Sequence, residues 1–427
     1  MKRCLAKVLA VLLAILAIPR VTVADDRRPD FAEFDRRAKA GERLCVAFFG
    51  ASLTWGANAT DPLLTSYRAV MANRLEKAYP AAHFTFRDGA IGGTGSQLGL
   101  FRLEREVLRH KPDLVFVDFS ANDGITSATP ETLASYEAII RRVILEAKAP
   151  VVQVFFPFMW DVSKGTTTGM LRRDAHLAIS AAYKTGCGDA IALAQQRVKA
   201  GEITIKQLWP TDGVHPGNAG YELFADAAWD AFNKAVAEKT VCAAPEKMLH
   251  ATTYMRSARV RISSLGTLPA GWRVGSANLT SAFFDMLMSR WLDDEVIASN
   301  GPENPPKGEA IVHSPPGRLK VNFRGSMVML FGETTPKSGK YRVWIDGKPT
   351  PRKNGEGKVI AQDFDGGEFA KRVNGNAHLV QVLVEGLDAA AEHTLEIEPV
   401  FDPAVTQELR IESICVAGHG AAVTAAK

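Results

Sequence analysis

Wholly apolar runs alternate with amphipathic stretches through the first half of the chain, the pattern that strand, helix, strand units impose. Residues 46–49 predict a strand, and "SYRAVMANRLEKAYP" sets Tyr67, Val70, Met71, Leu75 and Ala78 at helical spacing until Pro80 stops the helix. "HFTFRDGAIGG" predicts a short strand running into glycines. "LFRLEREVLRHKP" predicts a helix lasting until Pro112, and "DLVFVDFS" is apolar nearly throughout, as a strand covered on both faces must be. A helix over "ETLASYEAIIRRVILEAKA", a strand in "PVVQVFFPF", a helix around "RRDAHLAISAAYKTG", a short apolar "DAIALA" and a last helical stretch in "DGVHPGNAGYELFADAAWDAFNKAV" complete the set. Together they predict a three-layer α/β/α sandwich on a parallel sheet.

From about His250 helical periodicity fades. Short β-rich segments ("LKVNF", "SMVMLFG", "KYRVWIDGK", "HLVQVLVEGL", "HTLEIEPV", "ELRIESICVAG") lie between Gly, Pro and Asp, and Asp346-Gly347 after "RVWI" is a hairpin signal. These predict an all-β sandwich domain, with the Gly- and Pro-rich "IASNGPENPPKGEAIVHSPPG" as a long loop inside or bordering it. No internal repeat stands out. The organisation read from the sequence is a leader over 1–24, an α/β domain over 25–245 and an all-β domain over 246–427.

The leader reading rests on Lys2, Arg3 and Lys7 ahead of a short apolar run that ends in Thr22-Val23-Ala24, the build of a secretory signal peptide. The run is too short to span a bilayer comfortably, so a secreted or periplasmic location is expected, with no membrane insertion once the leader is removed. Removing it also changes the charge. The formal net charge of +4 includes Lys2, Arg3, Lys7 and Arg20; without them 47 basic residues face 47 acidic ones, and nothing points to nucleic acid as a partner. Cys4 leaves with the leader. Cys45 adjoins an apolar strand and reads as a buried thiol; Cys45, Cys187, Cys242 and Cys415 have no metal-ligand spacing, and a disulfide among the last three is open in an exported chain.

In an open parallel sheet ligands gather beyond the carboxyl ends of the strands. Four such places carry reactive residue types: "GASLTWG" with Ser52, "GAIGGTGS" with Gly92 and Gly93, "SAND" with Asn122 and Asp123, and "TDGVHPGNAGY" with Asp212 and His215. Taken singly, Ser52 reads as a helix cap, the glycines as a turn, Asn122-Asp123 as a helix start, and Asp212 with His215 as a surface pair. Their order and positions resemble the four sequence blocks of the SGNH hydrolase superfamily, the GDSL-type esterases, across about 43–239. That resemblance implies a nucleophile at Ser52, oxyanion donors at Gly93 and Asn122 beside the Ser52 N–H, and a triad completed by Asp212 and His215. Gly93 is chosen over Gly92 by register. Two positions depart from the family pattern: Ala51 stands where an Asp is usual before the serine, and Ser120 where a Gly is usual two before the asparagine.

The chemistry agrees. An alcohol needs an adjacent base to become a nucleophile at neutral pH, imidazole has a suitable pKa, and an Asp three residues earlier can fix its tautomer. No metal or organic cofactor is called for. The expected substrate is an acylated small molecule or polysaccharide, with O-acetylated carbohydrate favoured because the β segments have the texture of jelly-roll modules that accompany carbohydrate-active enzymes. The alternatives are a lipase or broad carboxylesterase, with Trp55, Phe158, Met159 and Trp160 lining an acyl pocket, and a non-catalytic carbohydrate-binding or cell-surface protein. Trp272 and Trp344 are candidate sugar platforms, against the commoner fate of a core tryptophan. Asp174 and His176, beside Arg172 and Arg173, read as a solvated helix face. The oligomeric state is unspecified.

Overall fold

The computed structural model describes residues 27–278, 291–301, 314–354 and 357–426. The expected leader and most of the Gly- and Pro-rich loop lie outside the described residues. A five-stranded parallel sheet, ordered β2-β1-β3-β4-β5, is made by β1 (Arg43–Gly50), β2 (His83–Ala90), β3 (Leu114–Val117), β4 (Val151–Phe155) and β5 (Gly186–Asp189). Helices cover both faces. β3 and β4 are buried residue by residue, so every side chain on them has a hydrophobic partner layer.

Helix α1 (Phe31–Lys39) starts where Asp30 accepts from the Ala32 and Glu33 N–H groups. Helix α2 (Ser52–Trp55) is a single turn directly after β1. In α3 (Tyr67–Ala78) Tyr67, Met71 and Leu75 point inward as their spacing predicts, while Ala78 is exposed. The helix expected to run to Pro112 is α4 (Ser96–Glu106); a separate 3-10 turn at Leu108–His110 leads to the proline. Helices α5 (Pro130–Arg142), α6 (Met159–Ser163), α7 (Leu171–Tyr183), α8 (Ala190–Lys199), α9 (Ile205–Leu208) and α10 (Asn218–Ala237) complete the α/β layers.

The apolar "DAIALA" opens α8; the fifth strand is the glycine-rich "GCGD" before it. Close packing is the reason: a Cβ on Gly188 would lie 2.8 Å from the Ala227 carbonyl oxygen of α10. A second correction concerns α7. Arg172 and His176 are fully buried rather than solvated, with His176 stacked on Tyr136 of α5 at 3.7 Å between ring centres. Cys45 is only partly buried, and Cys45, Cys187, Cys242 and Cys415 are all free thiols.

Among the described residues the second half forms a two-stranded sheet that pairs β13 (Arg352–Lys353) with β14 (Val359–Ala361), and two six-stranded antiparallel sheets. One, ordered β16-β10-β18-β8-β7 with β6 also pairing β18, contains β6 (Ser257–Arg261), β7 (Trp272–Ser276), β8 (Asp294–Ser299), β10 (Met327–Thr334), β16 (Ala377–Val384) and β18 (Glu408–Ala417). The other, ordered β12-β11-β17-β9-β19 with β15 (Phe364–Asp365) on β11, contains β9 (Leu319–Arg324), β11 (Lys340–Ile345), β12 (Lys348–Pro349), β17 (Glu392–Val400) and β19 (Ala422–Ala425). The Asp346-Gly347 turn has φ of 52° and 72°, the left-handed pair that a two-residue hairpin demands.

β10 shows why "SMVMLFG" is apolar throughout. Val328 and Leu330 face the other sheet, where they meet Val321, Phe323, Leu395 and Ile397; Met327, Met329 and Phe331 face the opposite way, into the core shared with the α/β layers. β18 divides likewise, Ile414 and Val416 to one side and Cys415 and Ala417 to the other.

Candidate active site

Strand register brings the candidate loops to one edge. Gly50 pairs with Ala90 and Phe49 with Val117, so the segments after β1, β2 and β3 leave the sheet side by side, where the strand order reverses. Arg102, fully buried in α4, binds two of those exits by donating to the Gly89 carbonyl at 2.8 Å and the Gly50 carbonyl at 3.2 Å. Ser52 is the first residue of α2 and Ala51 precedes it as an extended N-cap residue, so the tight turn requires a small buried residue rather than a side-chain cap.

The loop before α10 carries Asp212 and His215. Ser52 Oγ lies 3.1 Å from His215 Nε2, and His215 Nδ1 lies 3.5 Å from Asp212 Oδ2, longer than a formed N–H···O bond. Asp212 Oδ1 accepts from the backbone N–H groups of Val214 and His215, each at 2.7 Å. Oδ2 accepts from the Asn58 amide, also at 2.7 Å. Burial opposes ionisation of Asp212, yet these donors together hold its pKa below the ordinary carboxylate value. Burial likewise lowers the His215 pKa, against the pull of Asp212, so the imidazole is neutral at neutral pH and able to accept the Ser52 proton.

Gly93 and Asn122 stand at the adjacent strand exits. Gly93 has φ of 72°, a left-handed backbone suited to glycine. The buried Oδ1 of Asn122 accepts no hydrogen bond from the described residues. Behind Asn122, Asp123 Oδ1 accepts from the Ser96 N–H at 2.9 Å and joins the second and third exits.

Residues 48–223 match the model of the GDSL-like lipase/acylhydrolase family. The matched stretch lies within the α/β half of the chain. An arylesterase of Vibrio mimicus is 29% identical over 117 residues, 27% of this chain; the matched stretch spans 56% of that enzyme. A two-domain esterase active on acetylated mannans superposes with a TM-score of 0.67 at 22% identity, covering 91% of this chain and 95% of its own. It shares both the α/β layers and the β sandwich as a fold. An acetylxylan esterase from Geobacillus stearothermophilus covers 45% of this chain and 96% of its own, with a TM-score of 0.38 and 21% identity.

Within this GDSL-like segment, Ser120 has a structural task. Its Oγ donates to Asp118 Oδ1 at 2.7 Å and accepts from the Phe156 N–H at 2.9 Å, tying the exits of β3 and β4. The β sandwich touches the α/β layers too: His378 of β16 hydrogen-bonds to the Gly93 backbone, and both line a cavity of about 260 Å³ with Arg352, Phe369 and Arg372. Trp160 is about half exposed next to the Asp212–His215 loop, which α6 grips through a 2.8 Å bond from the Met159 N–H to the Gly213 carbonyl. Trp55 is buried. Trp272 is a core residue whose indole donates to Gly317, and Trp344 is covered by the Arg318 guanidinium, 4.7 Å from its ring centre.

Asn58, Asp118 and the buried Arg172–His176 face were not found as site or core features by sequence reasoning. Asn58 had one signal, an asparagine among small residues two after Gly56, where the backbone turns left-handed (φ 102° at Gly56, 65° at Asn58).

Proposed function

We propose that this protein is an exported serine esterase that removes O-acetyl groups from carbohydrate. The reading rests above all on the 3.1 Å approach of Ser52 Oγ to His215 Nε2, between residues 163 positions apart in sequence. In the proposed reaction Ser52 attacks the acetyl carbonyl while His215 takes its proton and Asp212 stabilises the imidazolium. The Ser52 and Gly93 N–H groups and the Asn122 amide hold the oxyanion. Collapse breaks the bond to the sugar oxygen, which leaves with the proton from His215. Water, deprotonated by His215, then attacks the acyl-enzyme, and acetate departs as Ser52 regains its proton.

Three observations support carbohydrate as the alcohol part. A β sandwich borders the Gly93 loop, an indole stands half exposed beside the His215 loop, and a protein of the same two-part fold acts on acetylated mannans. The leader-like first residues support export. Among the described residues no helix is long and apolar enough to cross a membrane. Leu63 and Leu64, exposed just past the first block, favour the second reading, an esterase for longer acyl chains.

The test compares the protein with its Ser52→Ala variant on p-nitrophenyl esters of increasing chain length, with acetate release from acetylated mannan and xylan measured alongside. Acetyl-selective turnover that vanishes in the variant is expected. Preference for long chains supports the lipase reading, and hydrolysis persisting in Ser52→Ala refutes the mechanism.

A further inference from the structure

A carboxylate offers about four lone-pair positions, and in Asp212 three are filled. The Val214 and His215 N–H groups take Oδ1, and the Asn58 amide takes one side of Oδ2. What remains on Oδ2 faces His215 Nδ1. The same amide nitrogen lies 3.4 Å from the His215 carbonyl oxygen, so Asn58 spans both ends of the Asp212–His215 turn.

Asn58 is itself held. Its φ of 65° is open to asparagine at little cost and disfavours branched residues. Its neighbours are fastened to α10, Tyr221 donating to the Ala57 carbonyl at 2.6 Å and Asn218 bonding Thr60 through both its backbone N–H and its hydroxyl, at 3.0 and 2.8 Å. Asp212 is the charged group acting on His215; Tyr221 from α10 lies within range of Asp212 and of Arg68 from α3, which donates to the Trp55 carbonyl and is ion-paired with Asp88 of β2.

We propose that Asn58 is a positioning residue of the esterase site: it orients Asp212 so that one oxygen lone pair is reserved for His215, and so keeps the imidazole aimed at Ser52. The proposal rests on the reading of Ser52, His215 and Asp212 as a working triad. The amide does this without charge. A carboxylate in its place would put a second anion against Oδ2 and favour the imidazolium.

The experiment measures kcat, KM and the pH profile of p-nitrophenyl acetate hydrolysis for the full chain and for Asn58→Gly, Asn58→Asp and Ser52→Ala, with Tm for each. Asn58→Gly accepts the backbone angle and removes only the amide; kcat is expected to fall about ten- to hundred-fold with KM within about two-fold. Asn58→Asp keeps the shape, and its acid limb is expected to move up by about half a pH unit or more. Should Asn58→Gly fail to fold, Asn58→Asp decides alone. An unmoved acid limb in Asn58→Asp overturns the proposal, whether kcat is retained or lost, because loss without a pH shift marks a purely structural role. Activity persisting in Ser52→Ala overturns the triad reading instead.

Discussion

Asp118 carries a pH-dependent cost that one substitution should remove. The carboxyl is completely buried at the exit of β3, where Oδ1 accepts from the Ser120 N–H at 2.9 Å and hydroxyl at 2.7 Å. Burial outweighs the Ser120 bonds and raises its pKa from 3.8 to about 7. The native state therefore keeps a proton that the unfolded chain releases between those values. Stability contributed by the protonated group is largest below 3.8 and is lost as pH rises towards about 7. At ~1.36 kcal/mol per unit, the loss between about pH 5 and pH 8 is roughly 3 kcal/mol.

Asp118→Asn retains the acceptor for Ser120 and has no proton to lose. Urea unfolding followed by tryptophan fluorescence, run on both proteins at the two pH values, isolates this group, because other titrations cancel in the difference. The variant is expected to gain on the parent by roughly 3 kcal/mol from about pH 5 to pH 8. A difference constant to within about 0.5 kcal/mol across that interval would refute the assignment of a buried, protonated Asp118.

Asn122→Ala should lower kcat by about 10²- to 10³-fold with KM little changed if its amide meets the oxyanion, which steady-state kinetics on p-nitrophenyl acetate will check. Because burial lowers the His215 pKa, kcat/KM should rise with pH through a midpoint below about 6.5; a midpoint above that value contradicts the neutral imidazole. Gly188→Ala places a methyl against the Ala227 carbonyl of α10 and should cost about 1–3 kcal/mol in unfolding free energy, with activity retained in the folded fraction.

The alternation of apolar runs and amphipathic helices was enough to read the parallel sheet, because β3 and β4 are covered on both faces and cannot hide their composition. β5 was hidden for the opposite reason. Its glycines make room for α10, and a strand whose side-chain space is filled by a neighbouring backbone leaves no hydrophobic trace. His176 was misread because Arg172, Arg173 and Asp174 look like a solvated face, while Tyr136, which stacks on the ring, is 40 positions upstream. Of the candidate site, Ser52, Asp212 and His215 were legible as residue types at strand and helix ends. Asn58 was not, since its contact with Asp212 spans 154 positions. Ser120, read as a departure from the family pattern, is a cross-strand tie whose partner Phe156 no local pattern could name.

The two-sided burial of β10 and β18 bears on how this chain can be divided. A module that travels between proteins ordinarily carries a polar outer skin. Here the sheet facing the α/β layers has its outer surface tiled by Met327, Met329, Phe331, Cys415 and Ala417, against a seam that includes Tyr254 and Trp291. Excised, the sandwich would present a sticky apolar plate to water, and the α/β half would be left with its counterpart. The two parts are therefore better regarded as one inherited unit than as an enzyme with an interchangeable attachment, and any change that loosens the seam would be transmitted to His378 and, through it, to the Gly93 loop.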